Sequence, residues 1–368
     1  MALLASPRRA FGYGVLAALA AMLLLGALFV LSGAYNVAAS AKHLSLTDAL
    51  FELALERSVD TYSGGIKVPD LDDPALIHLG ARHFATGCEP CHGAPGIRQG
   101  PIAASMYPSA PPLGERVDDW EPEELFWIIR HGFKLTGMPH WPGEGRDDEV
   151  WPVVAFVREL RGMTAARYAE LAGASGTREF AFAGEEDRGL TGCALCHGDA
   201  DRAPISDLVP ALQGQDGAYL LRALREYADG ARESGMMEPV AAALSPEATE
   251  RVAEAFAAMP LPAAGTASRD EERNQAGGEI ASSGLPGNNV PPCLVCHAPH
   301  ASPQFPALEG LSARYIENQL FLFRQGTRGD TAYGAIMATI AERLTDQQIR
   351  DVAAYFAVAT PGEDGPAP

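Results

Sequence analysis

Positive charge is scarce in this sequence of 368 residues. Lysine and arginine together number 28 against 47 aspartates and glutamates, so the formal net charge is −19 at pH 7. Lysine itself occurs only at Lys42, Lys67 and Lys134. Because a nucleic-acid backbone is bound mainly through basic side chains, this composition excludes DNA and RNA as ligands. With 47% hydrophobic residues, the chain is long and apolar enough to form two or three domains, each with its own core.

Cysteine is also scarce, and none is left over for a structural disulfide. All six cysteines belong to three copies of the pentapeptide Cys-x-x-Cys-His. The copies are Cys88, Cys91 and His92; Cys193, Cys196 and His197; and Cys293, Cys296 and His297. This pentapeptide is the attachment signature of c-type haem. Two thiols three positions apart on a helical turn can reach both vinyl groups of one porphyrin, and the adjacent histidine then faces the iron.

Two other kinds of site use paired cysteines. A structural zinc site needs four protein ligands, and the chain has no cysteine outside the pentapeptides. A dithiol oxidoreductase needs a βαβ setting, whereas the sequences that flank these motifs are typical of helices and loops. The three pentapeptides therefore predict three covalently attached haem c groups rather than zinc sites or redox dithiols.

Long uncharged apolar runs are limited to one segment near the N-terminus. Residues 11–31 carry no charge over 21 positions, about the length of a helix that spans a hydrocarbon core. Arg8 and Arg9 precede this run, and the positive-inside rule keeps them in the cytoplasm. We expect residues 1–35 to form a transmembrane anchor, and the alternative is a signal peptide cleaved near Ala39-Ser40-Ala41. Under either interpretation, the rest of the chain is predicted to be exported from the cytoplasm.

Residues 36–70 are predicted to connect this anchor to the first domain. An amphipathic helix is expected from Ser45 to Ser58, with Ser45 as its N-cap and Asp48 three residues later. Leucines at positions 46, 50 and 53 share one face of that helix. The segment is predicted to be a linker helix, and the alternatives are a helix that packs on the first domain or one that lies on the membrane surface.

A methionine follows each pentapeptide at a similar distance. Met237 and Met337 each lie 40 residues after the motif histidine, and Met138 lies 46 residues after His92. A haem held only by its proximal histidine has an open position on the iron, and we expect these three thioethers to fill it. Methionine is also common core filler. Three neighbouring side chains are rival ligands: Met236 beside Met237, and His131 and His140 near Met138.

The second and third pentapeptides lie in two internal repeats. The sequence Pro-Ala-Leu-Gln-Gly at 210–214 recurs 96 residues later as Pro-Ala-Leu-Glu-Gly at 306–310. The repeats predict equivalent helices after each methionine, with Ser245 and Thr345 as their N-caps. The predicted helical ranges are 246–258 and 346–357, and an equivalent helix is expected to open at Asp147 and Asp148.

These landmarks divide the chain into three predicted domains of similar length. The first segment spans residues 71–165, the second 166–262 and the third 263–360. Linkers are predicted at 162–182 and 260–265, a helix is expected over 270–283, and residues 361–368 form a terminal tail.

The motifs together resemble class I cytochromes c. The second and third segments resemble the tandem dihaem cytochromes, in which each half carries the pentapeptide, a tyrosine-led helix and a methionine before a Leu-Ser helix start. The first segment resembles single-haem domains that end in a Gly-Met-Pro loop, here Gly137-Met138-Pro139, and a helix that bears tryptophan. The resemblance covers roughly residues 70–360.

The same resemblance implies how the helices pack. In this family a glycine and an aromatic residue four positions later bring the N-terminal helix crosswise against the C-terminal helix. Gly80 and Phe84 fit that pattern in the first segment. The match is poor around Gly184 and Gly278, so the first helices of the second and third segments are less well defined by it.

The family implies an all-α protein, with three cytochrome c-type helical domains after one N-terminal transmembrane helix. It also implies His/Met ligation by His92 and Met138, His197 and Met237, and His297 and Met337. A six-coordinate iron of this kind exchanges only electrons, and a neutral thioether opposite histidine raises its potential. We therefore expect an electron carrier rather than an enzyme.

The expected partners are redox proteins. A dehydrogenase or a quinol-oxidising complex is predicted as the donor and a terminal oxidase as the acceptor. The haem domains are expected in the periplasm of a bacterium, held to the cytoplasmic membrane by a single helix. One alternative is the cytochrome subunit of a membrane-bound dehydrogenase. A further alternative is a haem enzyme with one open iron, for which the first segment is the best candidate because its motif-to-methionine spacing differs.

Overall fold

We describe the protein from a computed structural model, which describes residues 7–38, 40–173, 186–260, 271–299 and 301–358. Within those ranges the chain is all α-helical, and the only β pairing is two isolated bridges. This confirms the predicted fold class. The predicted tail, residues 174–182 of the first predicted linker, residues 261–265 of the second, and Gly184 lie outside the described residues.

Two helices precede the first segment. Helix α1 spans Pro7–Leu31 and α2 spans Ser45–Ser63. The predicted N-cap of α2 is wrong: Leu44 occupies that position in an extended conformation, and Ser45 is already helical. Helix α2 also runs five residues beyond its predicted end, because Val59 and Ser63 are buried against the first segment. The ring of Tyr62 stacks on Trp127 with 6.1 Å between centroids.

The first segment is built around two crossed helices, α3 and α8. Its helices are α3 (Pro74–Gly87), α4 (Glu89–His92), α5 (Pro101–Ala104), α6 (Leu113–Arg116), α7 (Pro122–His131), α8 (Asp147–Glu159) and α9 (Ala165–Ala172). Gly80 is required at the crossing, because a Cβ there would lie 1.8 Å from the Pro152 carbonyl oxygen of α8. The rings of Phe84 and Phe156 pack beside it with centroids 5.3 Å apart. This is the crosswise packing predicted for Gly80 and Phe84.

Helix α9 was not predicted and falls beyond the expected boundary at residue 165. Tyr168 and Leu171 of this helix are buried in the hydrophobic core of the first segment. The Tyr168 hydroxyl donates to Glu89 Oε2 at 2.6 Å, which ties α9 to the first pentapeptide.

The second segment repeats the same plan on a smaller scale. Its helices are α10 (Glu186–His197), α11 (Gly217–Ala228), α12 (Met237–Ala242) and α13 (Pro246–Ala257). The predicted cap of α13 is confirmed, since Ser245 Oγ accepts from the Ala248 amide at 3.2 Å. Val252 and Phe256 of α13 are buried against Leu220 of α11.

The third segment contains the second copy of the repeat. Its helices are α14 (Glu271–Ser283), α15 (Leu294–His297), α16 (Ala313–Arg324), α17 (Ala332–Ala341) and α18 (Asp346–Val358). Thr345 and Gln348 cap α18 reciprocally, as predicted. The crossing glycine is Gly277 rather than Gly278, because a Cβ on Gly277 would lie 2.1 Å from the Asp351 carbonyl oxygen of α18. Ala281, fully buried, stands where the family pattern has an aromatic residue.

Candidate functional site

Each pentapeptide forms a helical turn. The His92 amide donates to the Cys88 carbonyl at 2.9 Å, and the His297 amide donates to the Cys293 carbonyl at the same distance. The middle copy forms the last turn of α10. Positions three apart on such a turn share one face. Both cysteines of each motif therefore lie on one side of the chain with the histidine directly after them.

The three motif histidines make the same hydrogen bond. Nδ1 lies 2.9 Å from the Pro111 carbonyl oxygen in His92, 2.8 Å from that of Pro210 in His197, and 2.8 Å from that of Pro306 in His297. Because a carbonyl oxygen only accepts, Nδ1 carries the proton and Nε2 keeps its lone pair.

Burial lowers the pKa of each of these imidazoles below its usual value. A neutral ring with a free Nε2 and a fixed orientation is what metal ligation requires.

The first thiol of each motif is not in an activated state. Burial raises the pKa of Cys88 to about 12 and that of Cys193 and Cys293 to about 11. Reactive cysteines of dithiol oxidoreductases have a lowered pKa instead. These surroundings favour thiols that become thioethers over thiols that exchange electrons themselves.

A single large cavity of about 1200 Å³ joins the second and third segments. The predicted haem-binding side chains in its wall are Cys193, Cys196, His197, Met237, Cys293, His297 and Met337. Cys296 lies half-buried on the same turn as His297. Two of the three predicted ligand sets are therefore brought together around one continuous space.

Helix α3 of the first segment also lines this cavity. Arg82, His83 and Thr86 reach it from the turn of α3 that leads directly into Cys88. The Cys196 thiol lies near enough to Arg82 for the guanidinium to lower its pKa, although burial raises that pKa overall. The first and second pentapeptides are consequently near neighbours in space.

The rival ligand Met236 has a packing role. Its side chain packs against the hydrophobic core of the first segment, while Met337, the repeat partner of Met237, packs in the core of the third. Both Met236 and Met237 border the cavity.

The first segment presents Met138 in a short loop. The Met138 amide donates to Thr136 Oγ1 at 3.1 Å, and the Phe133 amide donates to the Met138 carbonyl at 3.2 Å. The rivals His131 and His140 are both exposed. The His131 ring lies against Trp127 with centroids 5.1 Å apart.

Met106 is a thioether that the sequence analysis missed. Its sulfur lies so near the loop that a Cβ on Gly137 would be 2.5 Å from it. The residue is half-buried. No repeat or spacing in the sequence indicates this contact, because it joins two loops of the first segment.

Two buried arginines in the shared cavity were also missed. Arg232 and Arg328 both line it, and Arg232 is only 5% exposed. Within the described ranges neither forms an ion pair with a carboxylate. The charge of Arg232, together with burial, lowers the pKa of Arg328, so the two cations lie within electrostatic reach of each other. The Tyr219 hydroxyl lies within electrostatic reach of both guanidinium groups.

A signal for this pair exists in the repeat. Arg232 and Arg328 stand at the 96-residue offset that also relates Tyr219 to Tyr315. Two like charges buried in one cavity are unfavourable unless an anion shares the space. Haem propionates are such anions, and thiols, imidazoles, thioethers and cations in one wall are the donor set that haem c requires.

Two family models match the chain. The model described as cytochrome C oxidase, cbb3-type, subunit III matches residues 75–157, and the model described as cytochrome c matches residues 291–358. The two matched regions contain the first and the third pentapeptide.

Two curated relatives match a larger part. The thiosulfate dehydrogenase electron acceptor of Stutzerimonas stutzeri is 34% identical over 58% of this chain and 97% of its own length. Cytochrome c4 of Pseudomonas aeruginosa is 31% identical over 45% of this chain and 82% of its own length. Among solved structures, cytochrome c4 of Acidithiobacillus ferrooxidans is 31% identical over 46% of this chain and 99% of that chain, with a TM-score of 0.43.

Proposed function

Because the chain belongs to the multi-haem class I cytochromes c, which are electron carriers, we propose that it holds three haem c groups and relays electrons one at a time. The cysteine pairs of the three pentapeptides would hold the porphyrins by thioether bonds. His92, His197 and His297 would ligate iron through Nε2. Met138, Met237 and Met337 would ligate it from the opposite side. Haem c supplies the one-electron exchange at iron, and the chain supplies position, ligands and charge.

The shared cavity carries this proposal. A catalytic haem site needs an open coordination position and a path for a substrate. The second and third segments instead offer the motif histidine of each pentapeptide, and a methionine at the same position of each repeat, within a cavity lined mainly by apolar side chains. Two ligands from the chain leave no position on iron for a small molecule.

The order of the three sites also supports a relay. The second and third pentapeptides face one cavity, and Thr86, two residues before Cys88, lines it from the first segment. We infer that the sites follow one another in chain order, with the second in the middle. Electrons then enter at one end segment and leave at the other.

One relative and the net charge support a proposal for the redox partners. One relative is named as the electron acceptor of thiosulfate dehydrogenase, which supports a periplasmic dehydrogenase as donor. A terminal oxidase is the proposed acceptor. The net charge of −19 and the three lysines exclude a lysine-rich docking ring, so a partner guided by electrostatics should present a basic patch.

A second candidate is a fixed subunit of a larger complex. The first segment matches a model described as an oxidase subunit, which favours this alternative. In that case the chain would remain bound to its dehydrogenase or oxidase throughout turnover. The chemistry of the three sites would be unchanged.

We further propose that α1 anchors the protein in the bacterial cytoplasmic membrane with the haem segments in the periplasm. Its residues Phe11–Leu31 have a mean hydropathy of 2.7, and none of the window is buried by the rest of the protein. Haem c attachment outside the cytoplasm agrees with this orientation.

The test uses full-length protein expressed in a bacterium that matures c-type cytochromes. The chain should sediment with membranes through a high-salt wash and dissolve in mild detergent. In the extract, thiosulfate dehydrogenase with its substrate should reduce the haems, and carbon monoxide should leave the reduced spectrum unchanged, because no iron is open. Carbon monoxide binding at one haem would contradict the carrier and favour an enzyme. Release by salt alone would contradict the anchor.

A further inference from the structure

Glu149, at the start of α8 in the first segment, is a buried carboxylate that lines the shared cavity but belongs to none of the predicted ligand sets. Only 7% of the residue is exposed. Its Oε2 accepts from Trp141 Nε1 at 3.0 Å and from the Gly235 amide at 2.7 Å. Its Oε1 accepts from Ser234 Oγ at 2.6 Å and lies 2.8 Å from an Arg146 guanidinium nitrogen. Two of these four partners belong to the second segment.

Ser234 connects Glu149 to the backbone of the predicted ligand Met237 through hydrogen bonds. A hydroxyl has one proton, which Ser234 gives to Glu149, so its lone pairs remain for amide donors. Ser234 Oγ accepts from the Met237 amide at 3.0 Å and from the Met236 amide at 3.3 Å. The residue is 1% exposed, so water cannot substitute for either bond. Glu149 therefore fixes the group that fixes the backbone of Met237.

The packing around this link is too tight for the loop to shift. A Cβ on Gly235 would lie 2.2 Å from Trp141 Nε1, and one on Gly143 would lie 2.7 Å from the Gly235 amide. Arg146 adds a hydrogen bond to the Glu233 carbonyl at 2.6 Å. The loop that precedes Met237 is thus held from outside its own segment.

The third segment holds its methionine differently. Met337 lies inside α17, whose N-cap is Thr331 of the same segment. Thr331 Oγ1 accepts from the Gly334 amide at 2.9 Å. At the 100-residue offset between Met237 and Met337, Gly334 stands where the second segment has Ser234. The repeat therefore provides an internal reference that lacks the link to Glu149.

We propose that Glu149 is a positioning residue for the middle haem: docking of the first segment sets the orientation of the Met237 thioether and, through it, the potential of that haem alone. This inference rests on the proposed function, in which Met237 is a sixth ligand. A weaker or displaced thioether bond favours the ferrous state less. Contact with the first segment would then tune the second site without any residue of the first segment touching iron.

The experiment uses the intact, full-length holoprotein and replaces one carboxylate oxygen of Glu149, a hydrogen-bond acceptor, by an amide NH2 group, a donor. In Glu149→Gln the amide nitrogen faces either Ser234 and Arg146, in place of Oε1, or Trp141 and Gly235, in place of Oε2, and all four are donors. Ser234→Ala breaks the same link from the other side. Glu159→Gln is the matched control, because it removes the same charge at an exposed position of the same helix. Met237→Ala identifies the signal of the middle haem.

The readouts are the NMR resonances of the iron-bound methionine methyl groups in the reduced protein, one per haem, and a redox titration. Glu149→Gln and Ser234→Ala should each move the signal that Met237→Ala removes. Ser234→Ala, which changes no charge, should also lower one of the three potentials. Glu159→Gln should change nothing. If Glu149→Gln does not fold, Ser234→Ala decides the outcome by itself.

Two results would overturn the inference in distinguishable ways. If Met237→Ala removes one methyl signal but neither Glu149→Gln nor Ser234→Ala moves it, Glu149 has no positioning role and the ligand set still holds. If Met237→Ala leaves all three signals in place, Met237 is not a ligand, and the inference fails together with that part of the proposed function. A shift of all three signals in Glu149→Gln also overturns it, since the effect would not be specific to the middle haem.

Discussion

Replacing Met237 by alanine should leave one haem in three with an open or exchanged sixth position. That haem should become high-spin and should bind carbon monoxide when reduced, because an alanine methyl group cannot ligate iron. Its potential should fall by roughly 0.1–0.3 V, since the thioether stabilises the ferrous state. The other two haems should keep their spectra. Optical spectra with and without carbon monoxide measure the change in spin state and ligation, and a redox titration without carbon monoxide measures the potential.

The adjacent Met236 provides the control. It borders the same cavity but packs against the core of the first segment, so Met236→Ala should keep three low-spin haems and lose only packing energy. If Met236→Ala opened the sixth position and Met237→Ala did not, Met236 would be the ligand and Met237 the packing residue. In the first segment, the same comparison between Met138 and Met106 identifies which thioether serves the first haem.

Replacing Arg232 by methionine should lower the potential of a haem in the shared cavity. The guanidinium group is buried, and in the described part of the chain no carboxylate neutralises it. A buried cation stabilises the extra electron of the reduced state and balances propionate charge. At an effective dielectric constant of about 20, a unit charge roughly 8–10 Å away contributes about 2 kcal/mol, or on the order of 80 mV. Redox titration resolves a shift of this size.

The control for that variant is Arg225→Met. Arg225 lies on α11 of the same segment, but its side chain is 58% exposed and it pairs with Glu250. Solvent and salt screen an exposed charge over a short distance, so the potentials should change little. Equal shifts in the two variants would mean that net charge, and not the buried position of Arg232, determines the effect.

Local signals in the sequence were sufficient for the helices that close each segment. Ser245 and Thr345 cap the helices where predicted, because a cap depends on hydrogen bonds within three residues. Gly80 was also predicted, from the family resemblance, and the structure supplies the reason, since a crossing with almost no space tolerates only glycine. The prediction failed at Ser45, where a good capping residue is helical and Leu44 takes the cap position.

The long-range contacts were not predictable in the same way. Glu149 and Ser234 are 85 residues apart, and neither lies in a periodic pattern that would indicate the other. The third segment shows the same limit, because Gly277 and not its neighbour Gly278 meets the carbonyl of α18. The pairing of Arg232 with Arg328 could have been predicted from the repeat. Their position in one cavity could not, because it depends on how the two segments pack against each other.

The claim on which the rest depends is that every pentapeptide carries its own covalently attached haem. The intact mass of the full-length protein, measured after denaturation in acid so that only covalently bound groups remain, tests this directly. We predict the mass of the polypeptide plus three haem groups. A mass that corresponds to two haems or fewer, with free thiols at one of the pentapeptides, would contradict the account.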